Sequence, residues 1–282
     1  MDQKPSNPLT KHFRQPAIYL KLPSGGQYWD ESAIRLPMNG EIAIYPMTTR
    51  DEITLRTPDA LMNGAGVVSV IQSCCPDIVD AWRMPSIDVD AVIIAIRIAS
   101  YGDVMTFNSR CPQCSEIHDY GLSLQQVLSR IRKPDYDELV DLDGLKIKLY
   151  PQPYFNLNES NILQFEEQKL MQAIQNTEMP EEQRSVEIAK QVDRIVTVNI
   201  KTLTSSTEYV QLDDGTQVAD KEFLREFYTN CSGHVTKSVQ EKLSKLNSEG
   251  AVKPMHVACD SCSKEFDIQV TFDYASFFDN GF

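Results

Sequence analysis

The chain has 282 residues, which is enough for one large domain or two ordinary ones with a sizeable core. Its composition, 41% hydrophobic and 24% charged, excludes a wholly disordered chain and a collagen-like fibre. A formal net charge of −13 makes generic binding to a phosphate backbone unfavourable, so we expect no nucleic-acid partner.

Residues 1–16 are polar and contain three prolines, and they predict an extended arm without a core of its own. They lack the apolar segment that a signal peptide needs, and no apolar run elsewhere reaches the roughly 18–20 residues of a membrane helix. We therefore expect a soluble intracellular protein with no membrane-spanning segment.

Residues 17–135 predict an N-terminal α+β domain with a small sheet. Short strands are expected from Ile18 and from Glu41, and the turn Pro23–Gly26 ends the first of them. An anion-binding nest at this turn is less favoured, because the helix and the lysine that complete such a site do not follow.

Helical patterning in this domain predicts helices at roughly 49–56, 58–73 and 86–101. Thr49 and Glu52 have the spacing of a capping box at the first of them. Ser86 or Asp88 is expected to cap the third. Because residues 89–98 are apolar nearly all round, we expect the third helix to be the buried centre of the domain.

Four of the seven cysteines form two C-x-x-C pairs, Cys111 with Cys114 and Cys259 with Cys262. Each pair lies between strand-like segments, which is the sequence form of half a zinc ribbon. Two such turns supply the four thiolates that a structural Zn²⁺ prefers. Closing the intervening loop of about 140 residues costs on the order of 4–5 kcal/mol, against an apparent ~10–16 kcal/mol from structural zinc. We therefore predict one structural zinc per chain.

Other roles for these cysteines remain open from the sequence alone. A thioredoxin-type redox pair would lie at the start of a helix, and disulfides would need an oxidising compartment. His118 or His256 could replace a thiolate, although a strand position beside the site is favoured for each. Cys74 and Cys75 are expected to be small apolar residues at a helix end, and Cys231 to carry no chemistry.

Residues 136–250 predict a β-hairpin, with a turn at Asp143–Gly144, and then a mostly helical insertion between the two halves of the ribbon. Residues 251–282 complete the ribbon. A strand or loop is expected at 207–212, followed by a second Asp–Gly turn. The predicted helices are at about 124–132, 158–176, 181–202, 220–230 and 233–247.

Signatures of catalysis are missing from the sequence. There is no Walker loop, no dinucleotide glycine fingerprint, no G-x-S-x-G and no H-E-x-x-H. Paired carboxylates such as Glu166–Glu167 and Glu181–Glu182 are expected to be solvated helix faces. We predict that the protein is not an enzyme.

A series of short motifs in the N-terminal half, taken in order and spacing, carries a family resemblance. The series is Leu22–Gly25 with Tyr28, Glu41–Glu52, Leu61, Gly64, Val67–Cys75, Ile93–Gly102 and Cys111–Cys114. It resembles the baseplate protein family of T-even-type, contractile-tailed bacteriophages, whose members are described as baseplate hub subunits or hub assembly chaperones. The resemblance covers roughly residues 18–120, and the second C-x-x-C pair fits the same ribbon.

This resemblance implies a structural component of the virion tail baseplate, at or near the hub, that is made and assembled in the host cytoplasm. The implied partners are other hub or wedge proteins or the tail tube, in a symmetric multi-chain assembly. The alternative is a hub assembly chaperone that is absent from the mature virion. A second alternative is a zinc-ribbon nucleic-acid or regulatory module, whose candidate basic residues are thinly spread: Arg130, Arg132, Lys133, Lys237, Lys242 and Lys245.

Overall fold

A computed structural model describes residues 7–57, 64–142, 144–176, 181–268 and Phe277. Helices and small antiparallel sheets pack around two hydrophobic cores, which confirms the predicted α+β class. The start of the helix expected at residue 58 and Asp143 of the predicted turn lie outside the described residues.

The helices are α1 (Thr49–Leu55), α2 (Ala65–Cys74), α3 (Ser86–Tyr101), α4 (Leu124–Arg130), α5 (Tyr154–Asn176), α6 (Glu181–Ser205), α7 (Lys221–Asn230) and α8 (Gly233–Gly250). The strands are β1 (Ile18–Lys21), β2 (Glu41–Ile44), β3 (Val104–Arg110), β4 (Ile117–Ser123), β5 (Val140–Leu142), β6 (Leu145–Leu149), β7 (Thr207–Gln211), β8 (Gln217–Val218), β9 (Met255–Ala258) and β10 (Glu265–Ile268). Short 3₁₀ turns occupy Pro8–His12 and Ala81–Arg83.

Helix α3 forms the centre of the first core. Its residues from Val89 to Ile98 are buried except Asp90, as the apolar pattern predicts. The β1–β2 pair, α2 and α4 pack around it. Tyr154 at the start of α5 joins this core and stacks on Trp82 with ring centroids 5.8 Å apart. Helix α5 therefore begins four residues earlier than predicted.

The second core lies beneath a four-stranded antiparallel sheet with strand order β5-β6-β7-β8. The sheet packs against α7, α8 and the C-terminal end of α6 through residues such as Ile147, Leu203, Leu224 and Val239. All of its fully buried members fall between residues 136 and 250. The strand pair at 207–218 thus belongs to the same sheet as the hairpin that precedes the helices.

The capping box of α1 lies one residue earlier than the sequence prediction of Thr49 and Glu52. The hydroxyl of Thr48 accepts from the amide of Asp51, and the Asp51 carboxylate accepts from the Thr48 amide at 2.8 Å. Asp51 is only 5% exposed and also accepts from Ser73 Oγ at 3.1 Å. Each carboxylate has its own tertiary donor: Asp51 accepts from Ser73 while it caps the helix, whereas Glu52 accepts from the Tyr101 hydroxyl at 3.1 Å.

The predicted caps of α3 are also wrong. The residue before the helix is Pro85, which makes no side-chain cap bond, and Ser86 is the first helical residue. Asp88 is fully buried and turns away from the helix end. It accepts hydrogen bonds from the Ser24 amide, the Ser24 hydroxyl and the indole of Trp29 instead.

Candidate metal centre

The two C-x-x-C turns have the same backbone structure. In the first, the amide of Cys111 donates to Glu116 at 2.9 Å and that of Ser115 donates to Cys111 at 3.0 Å. The second repeats these bonds at 2.9 and 2.8 Å, with Cys259 and Ser263 in the equivalent places. The two serines are the left-handed residues of their turns, with φ of 63° and 55°. Each turn joins two paired strands, so neither pair lies at a helix start.

The structure brings all four predicted site cysteines together. The sulfur of Cys111 lies 3.7 Å from that of Cys262, and the sulfur of Cys114 lies 3.6 Å from that of Cys259. All four sulfurs lie within 4.8 Å of one another. These distances far exceed the ~2.05 Å of a disulfide bond. They approach the ~3.8 Å edge of a tetrahedron with metal–sulfur bonds of ~2.3 Å. The cluster is a possible metal site and is compatible with zinc.

The pKa shifts of Cys111 and Cys114 show how the protein treats negative charge at the cluster. The amides of Cys114 and Gln113 donate to Cys111 and lower the pKa of its thiol to about 6, despite its burial. The amide of Glu116 lowers the pKa of Cys114, but burial and the neighbouring thiols outweigh it and raise that pKa to about 12. The backbone amides therefore stabilise the Cys111 thiolate better than the Cys114 thiolate. A bound divalent cation supplies the charge that deprotonates coordinating thiols.

Neither histidine beside the cluster replaces a thiolate. Nε2 of His118 pairs with Ser261 Oγ at 3.0 Å, a contact that joins the two hairpins. Nδ1 of His256 pairs with Asp267 across the β9–β10 hairpin at 2.9 Å, and this carboxylate raises the pKa of the imidazole. Each histidine therefore occupies a strand position beside the site, as favoured from the sequence.

An aromatic contact between the hairpins adds to the cysteine cluster and was not predicted. Tyr120 on β4 meets Phe266 on β10 edge to face, with ring centroids 6.1 Å apart. Tyr120 also packs against Phe107 of its own hairpin and is 8% exposed. The alternating aromatic residues after each C-x-x-C pair were the available signal, but the sequence did not show that they would face each other.

The remaining cysteines lie away from this centre. Cys74 and Cys75 are buried at the C-terminal end of α2, where burial raises the pKa of both thiols. Cys231 is half-buried at the end of α7, and burial raises its pKa as well. These positions agree with the apolar roles expected for Cys74 and Cys75.

The comparison with protein families covers nearly the whole chain. The family described as "T4 bacteriophage base plate protein" matches residues 16–279. The chain belongs to this base plate protein family. The match confirms the resemblance seen at roughly 18–120 and extends it through the helical insertion and both C-x-x-C turns. No curated protein and no solved structure shows significant similarity to this base plate protein.

Membership of the base plate family implies contacts with other phage proteins. None of the described helices combines the length and apolar character required to cross a bilayer. Residues 111–114 and 259–262 both lie inside the matched range, so the family match includes both halves of the cysteine cluster.

Proposed function

We propose that this base plate protein is a structural, non-enzymatic component of a contractile phage tail, at or near the hub, that acts through protein–protein interfaces. The observation that carries the proposal is the convergence of thiols separated by 145 and 151 residues at one four-sulfur cluster in a base plate family member. Such a cluster fixes two distant parts of the chain relative to each other, which suits a rigid structural subunit.

A structural Zn²⁺ held by Cys111, Cys114, Cys259 and Cys262 belongs to this proposal. Four thiolates complete the tetrahedral shell and leave no position for water or substrate, which favours a structural ion over a catalytic one. The ion would supply the positive charge that the clustered thiols lack. Elemental analysis of the purified chain should find one zinc per chain. A content near zero in protein purified without chelators would reject the metal.

Two measurements separate the structural role from that of a hub assembly chaperone. Quantitative mass spectrometry of purified virions should find the chain at a fixed ratio to the other base plate proteins. A chain abundant in infected cells but absent from virions would support the chaperone and reject the structural role.

The charge distribution does not favour the nucleic-acid alternative. Lys242 pairs with Glu138, and Lys237 and Lys245 lie 3.9 and 4.0 Å from glutamates on the next turn of α8. Lys133 donates to Gln27 and lies over the Tyr28 ring. Four of the six candidate basic residues thus have a partner within the protein, which leaves only exposed Arg130 and Arg132 as a basis for binding phosphate.

A further inference from the structure

An open groove of about 1000 Å³ runs between α6 and α7 in the helical insertion. We call it the α6–α7 groove. Its walls include Val196 and Ile200 of α6 and Phe223 of α7, and Tyr150 and Pro153 lie at one end. It is far from the cysteine cluster in sequence and contributes nothing to the site described above.

The walls of the groove expose an unusual amount of apolar surface. Phe223 is 63% exposed and Val196 is 49% exposed. The same side of α6 continues with exposed Val192 and Ile195 beside the groove. Residues 192, 195, 196 and 200 follow the spacing of a single helix face. A contiguous exposed apolar face of this kind marks an interaction surface.

The floor of the groove is not suited to a small anion. The ammonium of Lys221 donates to the carbonyls of Thr207 at 2.6 Å and Thr204 at 3.3 Å, and to the Tyr150 hydroxyl at 3.2 Å. These three acceptors use all three of its protons. The Lys221 ammonium keeps its charge but has no proton left for a ligand, and the apolar walls are left as the main recognition surface.

The rims of the groove carry unpaired negative charge. Arg225 pairs with Glu222 at 2.6 Å and Lys201 pairs with Glu159, so both exposed cations are occupied. Asp193 on the α6 wall and Glu226 on the α7 wall have no ion-pair partner among the described residues. The charge complementary to these rims is positive on both flanks, in keeping with the net charge of −13.

We propose that the α6–α7 groove docks an amphipathic helix of another base plate chain, with bulky apolar residues on its buried face and a lysine or arginine on each flank. A helix laid into an apolar groove is a common mode of recognition, and it matches both the walls and the rims. The inference rests on the proposed function, because it names the kind of partner that a structural subunit contacts.

A second copy of this chain is the poorer occupant. A two-fold interface centred on the groove would set groove against groove and leave both concave surfaces unfilled. It would also bring Asp193 and Glu226 toward the same carboxylates of the other copy, and like charges facing each other disfavour association.

Photo-cross-linking tests the proposal directly. p-Benzoylphenylalanine is placed at position 196 of the full-length chain, which is co-expressed with the other base plate chains of the same phage. We expect irradiation to link position 196 to one peptide of another chain, and that peptide to be helical with basic flanks. The same photo-cross-linker at position 53, a 62% exposed site on α1, is the matched control and should not link that peptide.

Substitutions in the groove test whether its apolar wall and its acidic rims bind the partner. Phe223→Asp should lower the cross-link yield at least about tenfold, because it places a charge in the apolar wall. Asp193→Lys combined with Glu226→Lys should lower it at least about threefold, with the larger loss at low salt. Unchanged circular dichroism would show that the variants are folded.

The outcomes separate this inference from the proposed function. Cross-links to the chain's own peptides in a dimer, or none at position 196 in a wild-type-like assembly, would overturn the docking inference alone. If the unmodified chain never enters the base plate or its precursors, the proposed function itself fails. A linked helix with acidic flanks would overturn the charge argument and with it the proposal.

Discussion

At the scale of single residues, Asp88 shows how a buried charge organises the first core. Its carboxylate is fully buried and accepts from the Ser24 amide at 2.8 Å, the Ser24 hydroxyl at 2.6 Å and the Trp29 indole at 2.8 Å. These bonds tie the turn after β1 to the first turn of α3, where the helix dipole also favours a negative charge. A carboxylate with several donors is tolerated in a core that would otherwise exclude it.

Replacing Asp88 with Asn should destabilise the protein by about 1–3 kcal/mol at neutral pH, because an amide NH₂ would face a donor. Burial raises the pKa of Asp88 above 3.8, so the unfolded chain releases this proton first as the pH rises. The stability contributed by the group therefore falls with rising pH between these two pKa values. Urea unfolding at several pH values should show that the difference in unfolding free energy between wild type and Asp88→Asn grows as the pH is lowered toward 3.8.

Asp119→Asn is the control for this titration, since Asp119 is exposed on β4. Its unfolding free energy should stay close to that of wild type. A gap for Asp88→Asn that is constant, or that widens toward high pH, would contradict the assigned direction of the pKa shift.

At the scale of elements, Arg14 ties the described part of the N-terminal arm, residues 7–16, to the first core. The 3₁₀ turn at Pro8–His12 buries no residue. Arg14, however, donates to the carbonyls of Pro46 and Ser73, both at 2.8 Å, and to Ser73 Oγ at 3.1 Å. The sequence predicts an arm without a core but gives no signal for this tie, because main-chain carbonyls have no sequence signature.

Arg14→Ala should free the arm from the first core. Trypsin should then cleave after Lys11 several times faster than in wild type, because cleavage requires the segment to leave the surface. Gln15→Ala is the matched control, since Gln15 bonds only locally, to Phe13 at 3.3 Å. An unchanged cleavage rate in Arg14→Ala would show that Arg14 does not hold the arm.

The helices and strands show which structural features a local sequence pattern can predict. The apolar face of α3 and the two strand–turn–strand units around the cysteines follow from local pattern, and the structure has both. The first residues of α1 and α3 do not follow from it. Thr48–Asp51 and Thr49–Glu52 both have the spacing of a capping box, and Asp51 and Glu52 take their tertiary hydrogen bonds from Ser73 and Tyr101, which are distant in sequence.

The cysteine cluster predicts the effect of removing one of its four thiols. Cys262→Ser should lower the zinc content well below one per chain and destabilise the ribbon by several kcal/mol, because an incomplete shell holds the ion poorly. Cys231→Ser is the matched control and should keep full zinc, since its sulfur lies at the end of α7. Equal zinc in both variants would show that Cys262 is not a ligand.

At the scale of the whole molecule, the described residues form two hydrophobic cores, and the β3–β4 and β9–β10 hairpins pack against the first of them. Leu122 and Leu124 place the end of the first hairpin in the first core, and Met255 of β9 packs against the same core. The second core draws all of its fully buried residues from 136–250. Local pattern could predict a helical insertion, but the α6–α7 groove arises only when α6 and α7 pack together, so the sequence alone gave no sign of it.

This arrangement predicts a local response to metal removal. If the proposed zinc is bound, a strong zinc chelator should increase amide exchange in residues 104–123 and 255–268, while α7 and α8 keep their protection, because the second core contains no residue of these two hairpins. Hydrogen exchange read by mass spectrometry measures both regions in one experiment. Zinc added back should restore protection, and Cys262→Ser should gain no further exchange from the chelator. If α7 and α8 lost protection together with the hairpins, the cores would be coupled through the metal site.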